Sequence, residues 1–384
     1  MIDLNYWYDH QDEWQTPENA KMRPDRFVDE LYVKASEDCK TADTEKAVRQ
    51  MVIDWEAGDK KNRALWAKVL EYSYQGQELT LKRLGNKWDR VWHEHEHYQQ
   101  GKDLVELGLK KGVFRKGKEG AIVTDLTKYG IPDTVVIKAD GTALYITQDL
   151  ALTKLKKETF KPDKLFWVIG PEQSLALKQM FAVCEQLGIV KIKECQHVSY
   201  GWMSLKGKGR MSSRTGMVVY IDDLLDQAVG KTKEIMKRSG ESEVETASID
   251  EVAEKIGVGA VKYSILKVGR TKDMAFDFDE SISLEGNSGP YLQYTYARAK
   301  SVLSKGPTLS PDIRRDAPKA LKVGPYSKEE DLLLRTLYRY EEVVSQAAAE
   351  LAPNLVANFL YDLAQKYNGF YNRHRILKAE KEVK

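Results

Sequence analysis

Apolar residues recur along this chain with two different periods, and the change of period divides it. Up to about residue 112 the spacing is helical. Pro24 to Cys39 and Asp43 to Ala57 carry charged faces with spaced apolar residues. Ala64 to Leu84 repeats apolar and aromatic positions from Leu65 and Trp66 through Val69 and Leu70 to Leu81 and Leu84, and Gly85 supplies a stop. Leu104 to Lys111 is a further short helix closed by Gly112. Short β-branched runs bounded by Gly and Pro come next, Ala121-Ile122-Val123 and Thr134 to Ile137. Asp140-Gly141 is a turn signal, and Leu144-Tyr145-Ile146 follows it as a strand. Asp149 to Lys157 and Ser174 to Gly188 read as helices, Leu165 to Ile169 and His197 to Tyr200 as strands. This alternation predicts an α/β layer with a largely parallel sheet. From about Asp222 the strands stop. Helices continue through Ser327 to Leu351 and Asn354 to Tyr371, interrupted by a Pro-rich, basic linker at Gly306 to Gly324.

Composition narrows the class. A chain of 384 residues suffices for two or three domains. With 42% hydrophobic and 31% charged residues it reads as an ordinary soluble globular protein. No apolar run approaches the roughly 20 residues of a membrane span. Met1-Ile2-Asp3-Leu4 has no basic head before an apolar stretch, so it is not a signal peptide. Cys39, Cys184 and Cys195 form no CxxC pair, which argues against a disulfide framework or zinc ribbon and fits a reducing cytosol. A net charge of +2 makes no case for nucleic acid, so any such case must rest on local patches.

The densest candidate chemistry is Gly207-Lys208-Gly209-Arg210-Met211-Ser212-Ser213-Arg214-Thr215-Gly216, ahead of Val218 to Ile221. Small residues let the backbone approach a polyphosphate, and the cations neutralise its charge. By composition alone the segment is equally a solvated basic loop. Arg210 to Arg214 resembles the second signature of class I aminoacyl-tRNA synthetases, usually written KMSKS, in the degenerate form of the arginine enzymes. Arg210 takes the place of the first lysine and Ser213 that of the second, so one catalytic lysine is absent. The resemblance implies catalytic roles for Arg210, Ser212, Ser213 and Arg214, and ATP contacts for Lys208 and Met211.

Asp140 to Ala151, which reads DGTALYITQDLA, resembles the arginine pocket of the same family. A phenol at Tyr145 and a carboxylate at Asp149 could face one ligand, and carboxylates match the planar fork of a guanidinium. Residue physics alone leaves Asp149 as a helix N-terminal acid and Tyr145 as a core aromatic. Val168 to Ser174 resembles the next active-site strand and turn, with Gln173 as the amide that contacts the amino acid; otherwise Gln173 is a cap or turn residue. Ala176 stands where the family often has a histidine. Lys87 to Trp92 resembles the segment leading to a guanidinium-binding glutamate, which falls on Glu94. Glu94 lies inside His93-Glu94-His95-Glu96-His97, where strand alternation would put three imidazoles on one face. A solvated strip and a structural zinc site are the competing readings there, and no metal site is expected.

His197 to Gly201 precedes the signature, as in the family, and the resemblance puts His197, Val198 and Gly201 at the adenosine; the alternative is a central strand feeding a loop. Leu284 to Tyr294 resembles a further hallmark, Gly-Pro-Tyr before an amphipathic helix from Tyr291 to Lys305. The closing stretch resembles the start of the anticodon-binding helical bundle. Tyr294, Arg298, Tyr367, Asn368 and Arg373 are the implied tRNA contacts, although packing helices show the same apolar spacing.

The resemblance implies an α/β Rossmann-like class I synthetase catalytic core followed by an all-α anticodon-binding helical bundle, both incomplete. Residues 1–230 are expected to form a partial catalytic domain with a helical insertion, 231–324 a helical connecting region and linker, and 325–384 a partial anticodon-binding domain. The HIGH signature of the first half-sheet is not found, so a fragment with weak activity alone is expected. The implied reaction joins arginine to tRNA(Arg) through arginyl-adenylate, with ATP as substrate accompanied by magnesium and no tightly bound cofactor. A cytoplasmic monomer without membrane contact is implied, or one half of a split enzyme. Two rivals remain. One is a non-catalytic tRNA-binding paralogue, which the degenerate loop favours. The other is a class I enzyme for lysine or cysteine; the paired carboxylates Glu94 and Asp149 argue for a cationic substrate, and the lack of zinc-type cysteine ligands argues against cysteine.

Overall fold

The structure, a computed structural model, describes residues 2–9, 16–38, 41–206, 220–238, 246–283, 285–305, 326–374 and 376. The signature segment at 207–216 and the linker at 306–324 lie outside the described residues. The described residues divide into two units, one running to Tyr200 and one from Gly201 onward.

The first unit opens with helices α1 (Ile2–Asp9), α2 (Pro24–Asp38), α3 (Ala42–Ala57) and α4 (Lys60–Arg83). Proline can open α2 because the first N–H of a helix has no intrahelical partner. Leu4, Phe27, Leu31 and Val69 bury the facing sides of α1, α2 and α4. The helices α3 and α4 make a hairpin turned by Gly58 and Asp59. Gly58, at φ +96°, ends α3, and the Asp59 carboxylate accepts from the Asn62 N–H to cap α4.

A second core supports the candidate site. It contains α5 (Tyr98–Lys110), β1 (Phe114–Lys116), β2 (Ile122–Thr124), β3 (Val135–Ile137), α6 (Tyr145–Phe160), β4 (Leu165–Val168), α7 (Ser174–Leu187) and β5 (Cys195–Val198). Val105, Leu126, Val136, Leu150, Met180 and Val183 are among its most deeply buried members. α7 carries the chain from β4 to β5, which pair in parallel from Leu165 opposite Cys195 to Val168 opposite Val198. The largely parallel sheet expected from the sequence is confined in this unit to that pair. The links 117–121 and 125–134 are too short for a helical crossover, so β1, β2 and β3 form an antiparallel meander. A Cβ at Gly101 of α5 would run into the Thr147 carbonyl, so the glycine lets α5 lie directly on the first turn of α6.

The second unit pairs β6 (Met203–Leu205) in parallel with β7 (Met274–Phe276). Strands therefore do not stop at Asp222. A three-residue strand whose partner lies far back in the chain leaves no local pattern to read. The helices of this unit are α8 (Ile221–Arg238), α9 (Thr246–Leu266), the single turn α10 (Phe278–Ser281), α11 (Gly289–Lys305), α12 (Lys328–Tyr338), α13 (Tyr340–Glu350) and α14 (Pro353–Arg373). The helix expected over Ser327 to Leu351 breaks at Arg339 into α12 and α13. Ser327 and Glu330 form a capping box that fixes the start of α12. Gly257 of α9 packs against the Val229 backbone of α8, and Gly289 of α11 against Ala260 of α9.

Candidate active site

Tyr145 opens a helix and does not lie on a strand. Leu144 is extended at φ −98° and ψ 164°, and its carbonyl accepts from the Thr147 N–H at 2.9 Å. A three-residue apolar run suits strand and helix alike; here the burial of Thr147, Leu150 and Ala151 at helical spacing decides for helix. The Thr147 hydroxyl donates to the Val136 carbonyl at 2.7 Å and ties this first turn to β3. Tyr145, Gln148 and Asp149 consequently stand at i, i+3 and i+4, on one face of α6.

Tyr145 and Gln148 line a cleft of about 580 Å³. His93, Glu94 and His95 line it from the segment before α5, and Trp55, Trp66 and Tyr74 from the α3–α4 hairpin. The segment expected as a strand is a 3-10 turn, Glu94–Glu96, that leads directly into α5. Alternation therefore does not apply, and the His93 and His95 imidazoles enter an aromatic wall instead. The His93 ring lies 4.4 Å from Tyr74, the His95 ring 4.6 Å from Trp66, and the two imidazoles stack at 5.7 Å. Burial pushes the His95 imidazole below its ordinary pKa, against the pull of Glu96. Among the described residues no three His, Cys, Asp or Glu side chains gather as metal ligands.

Asp149 is partly buried, whereas Tyr145 is 79% exposed at the lip. Burial first, and the negative charge of Glu94 second, push the Asp149 carboxyl up to about 6, with Lys156 pulling the other way. Among the described residues neither Asp149 nor Glu94 has a side-chain hydrogen bond or ion pair. Glu56, which lines the cleft with Glu94, differs because Lys102 pairs with it. Of Glu94 and Asp149, Glu94 lines the cleft and Asp149 does not; Lys138 lines it as well, and Lys156 acts on Asp149 without pairing with it.

Gln173 does not line this cleft. It is exposed on the 3-10 turn Pro171–Gln173 between β4 and α7. His197 of β5 holds that turn: its Nε2 lies 2.9 Å from the Ile169 carbonyl oxygen and its Nδ1 3.4 Å from the Ser174 hydroxyl. Val198 is buried at the end of β5. Gly201, in the second unit, donates its N–H to the Arg270 carbonyl at 2.8 Å, and a Cβ there would collide with the Lys272 backbone. Its close approach is thus to its own unit. Lys208, Arg210, Met211, Ser212, Ser213 and Arg214 lie outside the described residues.

The residues expected to face tRNA divide at the junction of α11 and α14. Arg298 donates to the Asn368 side-chain oxygen at 2.6 Å and to the Tyr294 hydroxyl at 2.7 Å, and its guanidinium stacks on the Tyr294 and Tyr371 rings. Asn368 is buried and donates to the Tyr291 hydroxyl at 3.0 Å and the Thr295 hydroxyl at 2.8 Å. The expectation that Asn368 reads RNA is therefore corrected: its amide is consumed in joining two helices. Tyr294 is 51% exposed, Tyr367 is half-buried near Tyr371, and Arg373 pairs with Glu329.

Residues 9–278 match the family of tRNA synthetases class I (R), catalytic domain. The chain belongs to the arginine-type class I tRNA synthetases. Residues 292–384 match the DALR anticodon binding domain, so a Rossmann-like catalytic domain is followed by a helical one, as in other arginine-type synthetases. The arginine–tRNA ligase of Porphyromonas gingivalis is 36% identical over 96% of this chain, and that of Bacteroides thetaiotaomicron 34% identical over 96%. The chain spans 64% of the length of each of these relatives. Solved structures share the fold. The arginyl-tRNA synthetase of Thermus thermophilus matches 100% of this chain and 68% of its own at TM-score 0.77 and 23% identity. That of Plasmodium falciparum matches 100% and 62% at TM-score 0.76 and 18% identity. Within this synthetase scaffold, sequence reasoning missed Gln148 and the aromatic wall. Helical counting from Tyr145 would have found Gln148, because i+3 shares the face of i and i+4.

Proposed function

We propose that the chain serves an arginine–tRNA ligase. In this reading the carboxylate of arginine attacks the α-phosphorus of ATP, giving arginyl-adenylate and pyrophosphate, and the terminal ribose hydroxyl of tRNA(Arg) then takes the arginyl group. The observation that carries the reading is Glu94 in the cleft with Asp149 on the face of α6 that brings Tyr145 and Gln148 to it, two acids that make no hydrogen bond or ion pair among the described residues. They would hold the guanidinium, with Tyr145 at the lip of the cleft. Gln173 sits on the turn beyond the end of β4, where open α/β sheets bind ligands, and would contact the amino acid. His197 and Val198 at the end of β5 would meet the adenosine, and the stretch from Lys208 through Arg210 to Arg214 the phosphates. Magnesium would enter as the counter-ion of those phosphates. Catalysis of this kind is positioning and charge stabilisation, with no covalent enzyme intermediate.

Tyr294, Tyr367 and Arg373 would supply the tRNA-facing surface of the second unit, with stacking on tyrosine and charge on arginine, while Arg298 is held in the α11–α14 joint. A cytoplasmic monomer is the expected state. The free thiols of Cys184 and Cys195 fit a reducing compartment, and no helix among the described residues is long and apolar enough to cross a membrane.

The test is exchange of pyrophosphate into ATP, with and without tRNA(Arg), alongside thermal unfolding with arginine or lysine. Expected is a melting temperature that rises with arginine and not with lysine, and any exchange arginine-dependent and lost in Asp149→Ala. Equal responses to the two amino acids, or arginine protection that survives Asp149→Ala, would overturn the reading.

A further inference from the structure

Two carboxylates recognise positive charge, and charge alone does not separate arginine from lysine. A guanidinium is planar with five N–H donors, whereas an ammonium offers three from one point. Selectivity between them needs a further acceptor placed for the additional donors. Gln148 lines the cleft on the same face of α6 as Tyr145 and Asp149. Its side-chain oxygen Oε1 is buried without a hydrogen-bond partner among the described residues. Other buried glutamine oxygens lack partners too, but those amides are anchored by their nitrogens: Gln186 donates to the Asp125 carbonyl at 2.8 Å and Gln293 to the Lys255 carbonyl at 3.3 Å. No hydrogen bond anchors Gln148 at either end among the described residues. A buried acceptor left empty destabilises the protein, and in a cavity a ligand can remove that cost.

We propose that Gln148 is a specificity-determining residue, whose neutral side-chain oxygen accepts an N–H of the guanidinium and so separates arginine from lysine. The inference rests on the reading of this cleft as an arginine site. Arginine satisfies Glu94, Asp149 and Gln148 together; lysine, its three donors drawn to the two acids, leaves the Gln148 oxygen buried and empty. No bond is made or broken in this step.

The experiment is calorimetric titration of the whole 384-residue chain with arginine and with lysine, on the wild type, Gln148→Leu, Gln148→Asn and Gln148→Glu. Gln148→Leu is expected to weaken arginine about tenfold to a hundredfold and lysine by less than about threefold, collapsing the ratio between them. Gln148→Glu keeps an acceptor and should keep the preference for arginine. A merely structural role would lower the melting temperature of Gln148→Leu, whereas loss of an unsatisfied oxygen should leave it equal or higher. Gln148→Asn withdraws the amide by one methylene and should lose the same ratio, so it decides the matter if the leucine variant does not fold. A wild-type ratio in the leucine or asparagine variant overturns the role of Gln148 alone. A wild type that binds arginine no better than lysine overturns the arginine-site reading, and this inference with it.

Discussion

The cleft of the first unit and the α11–α14 junction of the second draw on the same kinds of side chain: tyrosines, an amide and charged groups. In the junction each polar group is matched. Asn368 donates to Tyr291 and Thr295 and accepts from Arg298, whose guanidinium rests on two tyrosine rings. At the cleft Glu94 and the Gln148 oxygen, with Asp149 beside them on α6, make no hydrogen bond or ion pair among the described residues. A satisfied polar network holds a packing in place, and an unsatisfied one costs stability until something arrives. The difference separates a joint whose groups are matched from a cleft with open acceptors, which residue types alone do not.

The largest effect that would sharpen this contrast lies at Asp149. Its carboxyl is raised to about 6, so ionising it costs stability as pH rises from the ordinary carboxylate range through about 6. Over that window the ligand-free wild type should lose on the order of 3 kcal/mol from this group, a loss that Asp149→Asn should not show in denaturant unfolding. Arginine needs the ionised form, so its affinity should fall about tenfold for each pH unit below about 6. An affinity that stays flat between about pH 5 and about pH 7.5 would remove Asp149 from the site.

A smaller effect should come from the joint. Asn368→Ala strands the Arg298, Tyr291 and Thr295 groups that now bond to it and should cost about 2–3 kcal/mol of stability. Arginine affinity should not change. Coupled loss of arginine binding in this variant would break the contrast between joint and cleft.

The smallest predicted change is at Gly101. Helix propensity alone favours alanine there by about 1 kcal/mol. The Thr147 carbonyl occupies the space, and overpacking of this kind costs about 1–3 kcal/mol. Gly101→Ala should therefore be neutral to destabilising by about 2 kcal/mol, with a few-fold weaker arginine site because the first turn of α6 must shift. A clearly more stable variant with unchanged affinity would show that this turn tolerates displacement.

Much of the helical framework was legible because helices write their pattern locally: α2, α3, α7 and α14 fall close to where apolar spacing put them. The β4 run and the Gly188 helix end are local signals of the same kind. Strand partnership was not legible. Neither the antiparallel meander nor the β6–β7 pair has a signature in its own residues, because pairing depends on link length and on distant chain. At the site, resemblance named Glu94, Tyr145 and Asp149, and the fold adds that Glu94 and Tyr145 line one cleft. The strand reading of Leu144-Tyr145-Ile146 hid Gln148, since alternation would turn it away from Tyr145. Asn368 was misread because a buried amide and a base-reading amide look alike in sequence.

The β6–β7 pair has a consequence for how the second unit folds. Met274 donates its N–H to the Trp202 carbonyl at 2.9 Å, Lys206 its N–H to the Phe276 carbonyl at 3.0 Å, and the Lys206 ammonium meets Asp277 at 2.6 Å. These bonds join two short strands across all the chain that carries α8 and α9. Each strand is too short to repay that closure entropy alone. If α8 and α9 associate first, the span left to close is much reduced. Helix association is then the early event and strand zippering the late one. A substitution that loosens Gly257 from Val229 should slow refolding more than it speeds unfolding.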